Sequence, residues 1–208
     1  MDRTATETRI HFILLASITA LFIWSLVDCF DFFTWVLEAV PVIIGVTIII
    51  SVYRKFRFTS LVYILIWIHM IILLIGAHYT YARMPLFNWI RDALELSRNH
   101  YDRLGHFAQG FVPAIIAREV LLRKSILQNR RWLFFIVVSI CLAISAAFEL
   151  FEWLVALLAQ DNAVSFLATQ GDVWDTQKDM ALCLAGAVIA LLSLGKVHDR
   201  ALERLQSK

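Results

Sequence analysis

Charged residues are scarce in this sequence, and the two signs are nearly balanced. Lys and Arg together number 19 and Asp and Glu number 17 among 208 residues, so the formal net charge is only +2. A charge this small, with the basic residues dispersed among connecting segments, is not typical of a protein that binds a polyanion. We therefore predict no nucleic-acid partner.

Cysteine is also scarce, and several motifs that reveal metal or phosphate binding are missing. The three cysteines are odd in number and lack metal-site spacing, which argues against a disulfide framework and against a cysteine-ligated metal. No HExxH segment, paired-cysteine motif or glycine-rich phosphate loop occurs. Internal repeats and low-complexity tracts are missing as well, so we expect a single integral membrane domain over residues 1–208.

Apolar residues, by contrast, make up 60% of the chain, and the mean hydropathy is +0.72. A soluble domain of this size cannot hide so much apolar surface, so the expected partner is the lipid bilayer. Six apolar stretches approach the length of about 20 residues that a helix needs to cross the hydrocarbon layer. Because the alternation typical of barrel strands is missing, we predict an all-α polytopic bundle of about six transmembrane helices. The stretches cover residues 11–30, 33–52, 59–80, 104–122, 132–158 and 178–195.

The distribution of Lys and Arg predicts the orientation of this bundle. The connections between the second and third stretches and between the fourth and fifth are basic, as is the C-terminal tail. The positive-inside rule places these sides, and both termini, in the cytoplasm. The segment 81–103 has four arginines on the predicted outer side, together with acidic residues. Its apolar residues, among them Leu86 and Trp89, predict a short interfacial helix, with a solvated connector as the alternative.

Ionisable and polar residues lie near the predicted outer ends of three separate stretches. In the fourth stretch they recur at spacings of three and four, which places them on one face of a helix. A pair of glutamates follows in the outer half of the fifth stretch, and spaced aspartates introduce the sixth. These candidate site residues are Asp102, Arg103, His106, Gln109, Glu149, Glu152, Asp172, Asp175 and Asp179.

Charged side chains are costly in the hydrocarbon layer, so this cluster requires an explanation. An ionised residue at the centre of a spanning helix costs about 2.5–3.5 kcal/mol on insertion scales, so Glu149 is expected to face the bundle interior. Its candidate partners are a proton, Arg103, His106 or a bound cation. Two interpretations stay open: a divalent metal ion or a metal-free network that fixes helix packing. The metal interpretation assigns as ligands His106, Glu149, Glu152, Asp175 and Asp179, and leaves as binding residues Asp102, Arg103, Gln109, Glu152 and Asp172.

Other polar residues in the stretches are assigned structural or minor roles. His69 is interpreted as a packing residue, and His78 as a weak candidate for the outer site. Glu119 and Arg123 lie four residues apart, which predicts an ordinary ion pair along a helix.

The segments "HYDRLGHFAQGFVPAIIARE", "FELFEW" and "GDVWDTQKDM" resemble the YjdF family of bacterial inner-membrane proteins over nearly the whole chain. That resemblance implies a multi-pass inner-membrane protein without an established reaction. The chain is more distantly similar to VanZ-like membrane proteins, although a second glutamate and a tryptophan stand where that pattern commonly has glutamine. It also lacks that pattern's asparagine near the last glycine. The positions matching the VanZ-like pattern are Asp102 and His106, Glu149 or Glu152, and Asp175 and Asp179.

Three classes of function are compatible with these residues. The first is a metal-dependent site that acts on or binds a lipid-linked or envelope molecule, with Glu149 as base and His106 or Asp102 as proton carrier. The second is a structural or accessory protein whose polar cluster stabilises helix packing. The third is a proton- or ion-coupled transporter, which would use six helices as a homo-oligomer. The inner half of the fifth stretch offers only Ser139 and Ser145 as polar side chains, which argues against transport.

Overall fold

The structure is a computed structural model that describes residues 3–159 and 164–206. Helices, turns and loops make up these residues, and no strand occurs among them. The all-α prediction is therefore confirmed. The helices are α1 (Arg3–Leu26), α2 (Phe32–Val52), α3 (Ser60–Tyr79), α4 (Pro85–Ala93), α5 (Tyr101–Arg123), α6 (Arg130–Ala159), α7 (Val164–Leu167) and α8 (Asp175–Gln206), with a 3₁₀ turn at Tyr81–Arg83.

The six long helices correspond to the six predicted stretches. Five of them, α1, α2, α3, α6 and α8, are both long enough and apolar enough to span a membrane. Helix α5 has 23 residues and is therefore about 35 Å long, sufficient to cross, but it is more polar than the others. The sequence prediction of about six spans thus agrees with the lengths of all six and with the apolar character of five.

Helix α5 can be polar because it occupies the centre of the bundle. It packs extensively on α8 and also on α6 and α3, while α1 and α2 pack on the far side of α3. Its buried residues include both polar side chains, such as Asp102 and His106, and apolar ones, such as Val112 and Ile115. Enclosure by other helices keeps these polar groups away from lipid, where they would be costly.

The two ends of the bundle carry different polar groups. We call the end where α5 and α8 begin and α6 finishes the site end. At the other end, the basal end, Arg57 donates to Thr8 near the start of α1, and Glu119 contacts His198 near the end of α8. The start of α1 and the end of α8 therefore lie together at the basal end. That this end faces the cytoplasm stays a prediction.

The connecting segments follow the sequence expectations where they are described. A short helix, α4, is present at the predicted place, and its apolar side chains Leu86 and Trp89 are exposed, while its position at the membrane interface stays a prediction. The long connection between the fifth and sixth stretches contains the short α7, and residues 160–163 of that connection lie outside the described residues. The described parts of both connections lie at the site end, where Arg98 donates to the Ala168 carbonyl and Asn99 donates to Gln170.

Candidate functional site

The candidate site combines the first turns of α5 and α8 with the last third of α6. Beside it lies a cavity of about 370 Å³, whose walls come from α2, α3, α5 and α6. The α2 and α6 walls pack on other helices rather than closely on each other, and α7 packs on both of them. Its polar lining consists of Glu38, His69, Tyr81, Asp102, His106, Gln109 and Glu152.

Three buried side chains converge at the inner edge of the site. Asp102 and His106 come from one face of α5, and Asp179 comes from the second turn of α8. One potential ligand atom from each lies within 4.8 Å of the other two. One imidazole nitrogen and two carboxylates in such a group form a donor set suited to a borderline or hard divalent cation.

Glu149 approaches the same point from α6. Its Oε1 lies 3.7 Å from His106 Nε2, while Asp102 Oδ1 lies 3.5 Å from that nitrogen. Among the described residues, neither Glu149 Oε1 nor Asp179 Oδ1 has a hydrogen-bond partner, although both atoms are buried. An unsatisfied buried carboxylate oxygen is costly, so these atoms indicate a place where a ligand or proton is needed.

The second nitrogen of His106 is fixed by a neighbour on the same helix. His106 Nδ1 lies 3.2 Å from Gln109 Oε1. If Nδ1 donates this hydrogen bond, Nε2 carries a lone pair directed at the carboxylates, which is the arrangement a metal-ligating histidine requires. The predicted binding residue Gln109 therefore acts on the site through the orientation of the imidazole ring.

Arg98 is the main cation of the site, although the sequence analysis counted it only as one of four loop arginines. Its side chain is 4% exposed and forms ion pairs with Asp102, at 3.5 Å, and with Asp175. The same guanidinium donates to the carbonyl oxygens of Ala168 at 3.1 Å and Thr169 at 3.3 Å. Arg98 thus joins α5, α8 and the segment between α7 and α8.

A second pair of hydrogen bonds closes this junction. Gln170 Oε1 accepts from the backbone N–H of Asn99, and Gln170 Nε2 donates to the Asn99 carbonyl, both at 2.9 Å. The segment before α8 is therefore held against the start of α5, and the site has a cover at its polar end.

Asp172 and Arg103 are half-buried at the outer edge of the cluster, where Asp172 Oδ2 lies 3.8 Å from the buried Arg98. Asp172 accepts from Arg103 at 2.7 Å and from Lys178 at 2.6 Å, and Lys178 is exposed. The hydrogen bond from Lys178, with a further one from the Trp174 backbone, lowers the pKa of the Asp172 carboxyl. These two predicted binding residues form a half-buried network that adjoins Arg98.

Two side chains that line the cavity, Glu38 and Tyr81, were not predicted from the sequence. Glu38 of α2 is buried and lies within hydrogen-bonding reach of Tyr81, which follows α3. The sequence does mark Glu38 as unusual, because it is the only charged residue between Asp31 and Arg54 and falls within an apolar stretch. Glu152, which was predicted, is half-buried and lines the same cavity.

The two histidines of α3, His69 and His78, have different surroundings. His78 stacks on Trp24 with ring centroids 4.3 Å apart and approaches the Ser25 carbonyl, so it lies away from the cavity. His69 lines the cavity, and its buried Nε2 has no hydrogen-bond partner among the described residues. The cavity therefore carries a polar atom deeper than the carboxylate cluster.

Negative charge dominates the buried part of the site. Arg98 pairs with both Asp175 and Asp102, and Asp102 also lies 3.5 Å from His106. The other carboxylates outnumber the cations that contact them, so the cluster needs protons or a bound cation to balance its charge. These carboxylates are Glu38, Glu149, Glu152 and Asp179.

Comparison with known proteins assigns the chain to an uncharacterised group. Residues 10–200 match the family described as "Predicted membrane protein (DUF2238)". The chain is 44% identical over 188 residues to the Inner membrane protein YjdF of Escherichia coli (strain K12), covering 90% of each sequence. No solved structure matches the chain. The resemblance to the YjdF family is confirmed, whereas the similarity to VanZ-like proteins stays a prediction.

Proposed function

We propose that this chain, which belongs to the DUF2238 family and is a multi-pass protein of the bacterial inner membrane, is a metal-dependent membrane enzyme. The proposed site holds a divalent cation at Asp102, His106 and Asp179. The proposed substrate is a lipid-linked or envelope molecule that enters the adjacent cavity from the bilayer.

The observation that carries this proposal is the pair of unpartnered buried oxygens around His106. Glu149 Oε1 and Asp179 Oδ1 are buried without a hydrogen-bond partner among the described residues, and Glu149 Oε1 lies 3.7 Å from His106 Nε2. A divalent cation would take Asp179 as a ligand and offset the charge of the nearby Glu149, because carboxylate oxygens and an imidazole nitrogen are ligands that Mn²⁺ and Zn²⁺ accept. Asp175 is less available as a ligand, since Arg98 already binds it.

The residues around the cation suggest hydrolysis. An ion held by Asp102, His106 and Asp179 would supply Lewis acidity to a carbonyl or phosphoryl oxygen. Glu149 takes a proton from the attacking water, whose oxygen forms a new bond to the carbonyl carbon or the phosphorus. The bond from that centre to the leaving oxygen breaks, and the proton passes to the leaving oxygen. Gln109 orients His106, and Arg98 orients Asp102.

Metal content tests the first part of the proposal. Purified protein is stripped with a chelator, dialysed against Mn²⁺ or Zn²⁺, and examined by elemental analysis. We expect about one ion per chain, and a loss in affinity for His106→Ala and Asp179→Asn exceeding the roughly 10–100-fold caused by residues that only orient a ligand. Asp92→Asn is the matched control, because Asp92 is an exposed carboxylate of α4 that pairs with Arg91. A parent protein that binds no ion would disprove the metal site.

Hydrolysis is tested separately with Glu149→Gln. The metal-loaded protein is incubated with vesicles made from a lipid extract of bacterial envelopes, and the products are identified by mass spectrometry. The parent should release water-soluble headgroups, and Glu149→Gln should retain the ion but lose the reaction. Retained activity in this variant would contradict the role of Glu149 as base.

The structural alternative is favoured by a different observation, the Arg98 junction. Arg98 ties α5 to α8 and to the segment before α8 without any ligand. If this were the cluster's whole role, His106→Ala and Asp179→Asn would lower the melting temperature, and the parent protein would show no metal-dependent change in stability.

A further inference from the structure

The basal half of the bundle contains a second cavity, separate from the candidate site. It has a volume of about 400 Å³, is partly open, and is lined by α1, α2, α3 and the residues that follow α2. It arises because α1 and α2 each pack on α3 but not closely on each other. Most of its wall is apolar, including Leu15, Ile49 and Met70. Its volume is in the range of ligand pockets, roughly 300–1,000 Å³.

The basal end of this cavity is basic. Arg54 and Lys55 belong to its lining and are exposed, and neither forms a salt bridge with an acidic side chain among the described residues. Arg57 lies next to them and donates to Thr8. Two uncommitted cations at the rim of an apolar cavity are complementary to a molecule with an apolar chain and an anionic head.

Polar groups continue from this rim into the cavity. His11 Nδ1 lies 3.0 Å from the Tyr53 hydroxyl, and both residues line the cavity. Below them Trp67 lines the wall and donates to Ser17 at 2.8 Å, which fixes its ring. The cavity therefore changes from basic to polar to apolar along the membrane normal, as a phospholipid does.

We propose that this cavity binds an anionic phospholipid of the leaflet at the basal end, with the phosphate at Arg54 and Lys55 and one acyl chain between α1 and α2. The length of apolar wall, the placement of both cations at the rim and the burial of polar groups between them favour a lipid over a soluble anion. The proposal is independent of the metal site, which lies at the other end of α3.

Trp67 provides a direct probe of the acyl chain. The protein is reconstituted in phosphatidylcholine vesicles that contain a small fraction of either dibrominated phosphatidylglycerol or dibrominated phosphatidylcholine. The contribution of Trp67 is the difference between the parent and Trp67→Phe. We expect the anionic bromolipid to quench this component with an apparent affinity at least about fivefold higher, since each basic residue near a membrane surface contributes an enrichment of about that size.

Two double variants decide whether the rim causes the selectivity. Arg54→Ala/Lys55→Ala should remove the difference between the two bromolipids. Arg130→Ala/Arg131→Ala, which removes two exposed basic residues at the start of α6, should leave it intact. Equal quenching of Trp67 by both lipids in the parent, or equal loss in both double variants, would overturn the proposal.

Discussion

Gly110 of α5 lies directly against the backbone of Cys183 in α8. A Cβ atom at position 110 would be 1.8 Å from the Cys183 carbonyl oxygen, and one at Gly186 would be 2.2 Å from the Phe107 carbonyl oxygen. The two helices run in the same direction and touch backbone to backbone at these glycines. This contact sets how closely Asp102 and His106 approach Asp179 at the site end.

Gly110→Ala is therefore expected to force α5 and α8 apart. The obstacle is backbone rather than a flexible side chain, so the clash cannot be relieved by a rotamer change, and we expect a cost at the upper end of the 1–3 kcal/mol typical of overpacking, or more. Thermal unfolding in detergent measures the loss. If the metal site exists, its affinity should fall in parallel.

Gly195→Ala is the matched control on the same pair of helices. A Cβ at Gly195 meets no atom within 4 Å. Alanine is favoured over glycine inside a helix by about 1 kcal/mol, so this variant should be neutral or slightly stabilised. Equal destabilisation of both variants would show that the Gly110 contact does not determine the packing.

Much of the fold follows from the lengths of the apolar stretches. The stretches 33–52 and 59–80 reappear almost unchanged as Phe32–Val52 and Ser60–Tyr79. The last stretch was predicted to finish at residue 195, but α8 continues to Gln206. Hydropathy detects only the part in lipid, whereas this helix is extended by polar contacts such as Arg118 with Asp199 at 2.6 Å.

The site was only partly predictable for a related reason. Spacing on single helices identified Asp102 with His106, but it contains no information about which residues of different helices meet. Arg98 precedes α5 and looked like one loop arginine among several, and its burial depends on the carbonyl groups of Ala168 and Thr169, some 70 residues away. Glu38 could have been found by the argument used for Glu149, because each is a carboxylate in an apolar stretch.

Arg98→Ala should be among the most destabilising substitutions at the site end. It would leave Asp102 and Asp175 buried without their cation, and removal of one partner from a buried ion pair typically costs about 3–5 kcal/mol. Arg98→Lys should recover only part of this stability, because lysine keeps the charge but cannot form the same set of directed hydrogen bonds. Thermal unfolding of the two variants gives the comparison.

Arg91→Ala serves as the control for Arg98. Arg91 pairs with Asp92 on the exposed surface of α4 at 2.8 Å, and exposed pairs contribute about 0–1 kcal/mol. If Arg98→Ala were no more destabilised than Arg91→Ala, the contacts of Arg98 with α8 and the segment before it would not stabilise the site end.

Glu119 is expected to be a structural residue of the basal end. The predicted pair with Arg123 is present at 2.9 Å, but the fully buried carboxylate also accepts from Thr59 and contacts His198 at 3.0 Å. Glu119→Ala would leave these buried partners without their acceptor, so we expect a loss of about 3–5 kcal/mol in unfolding free energy. Glu203→Ala, at an exposed position of α8, should change it by less than about 0.5 kcal/mol. Similar melting temperatures for the two variants would contradict a structural role for Glu119.

His100 gives the site end a measurable pH dependence. It precedes α5, and burial, followed by the nearby charges of Arg103, Arg98 and Lys178, lowers its pKa below the ordinary value of 6.5. Between pH 6.5 and the lower folded value, the unfolded chain binds more protons than the folded one, by at most about one proton. The stability that depends on neutral His100 is thus complete above about pH 6.5 and is lost as the pH falls towards the folded pKa.

The melting temperature of His100→Gln should therefore fall less between pH 7.5 and 5.5 than that of the parent. Arg103→Gln should show an intermediate fall, because one repulsive charge is gone. Identical pH profiles for the parent and His100→Gln would show that His100 does not contribute to this dependence.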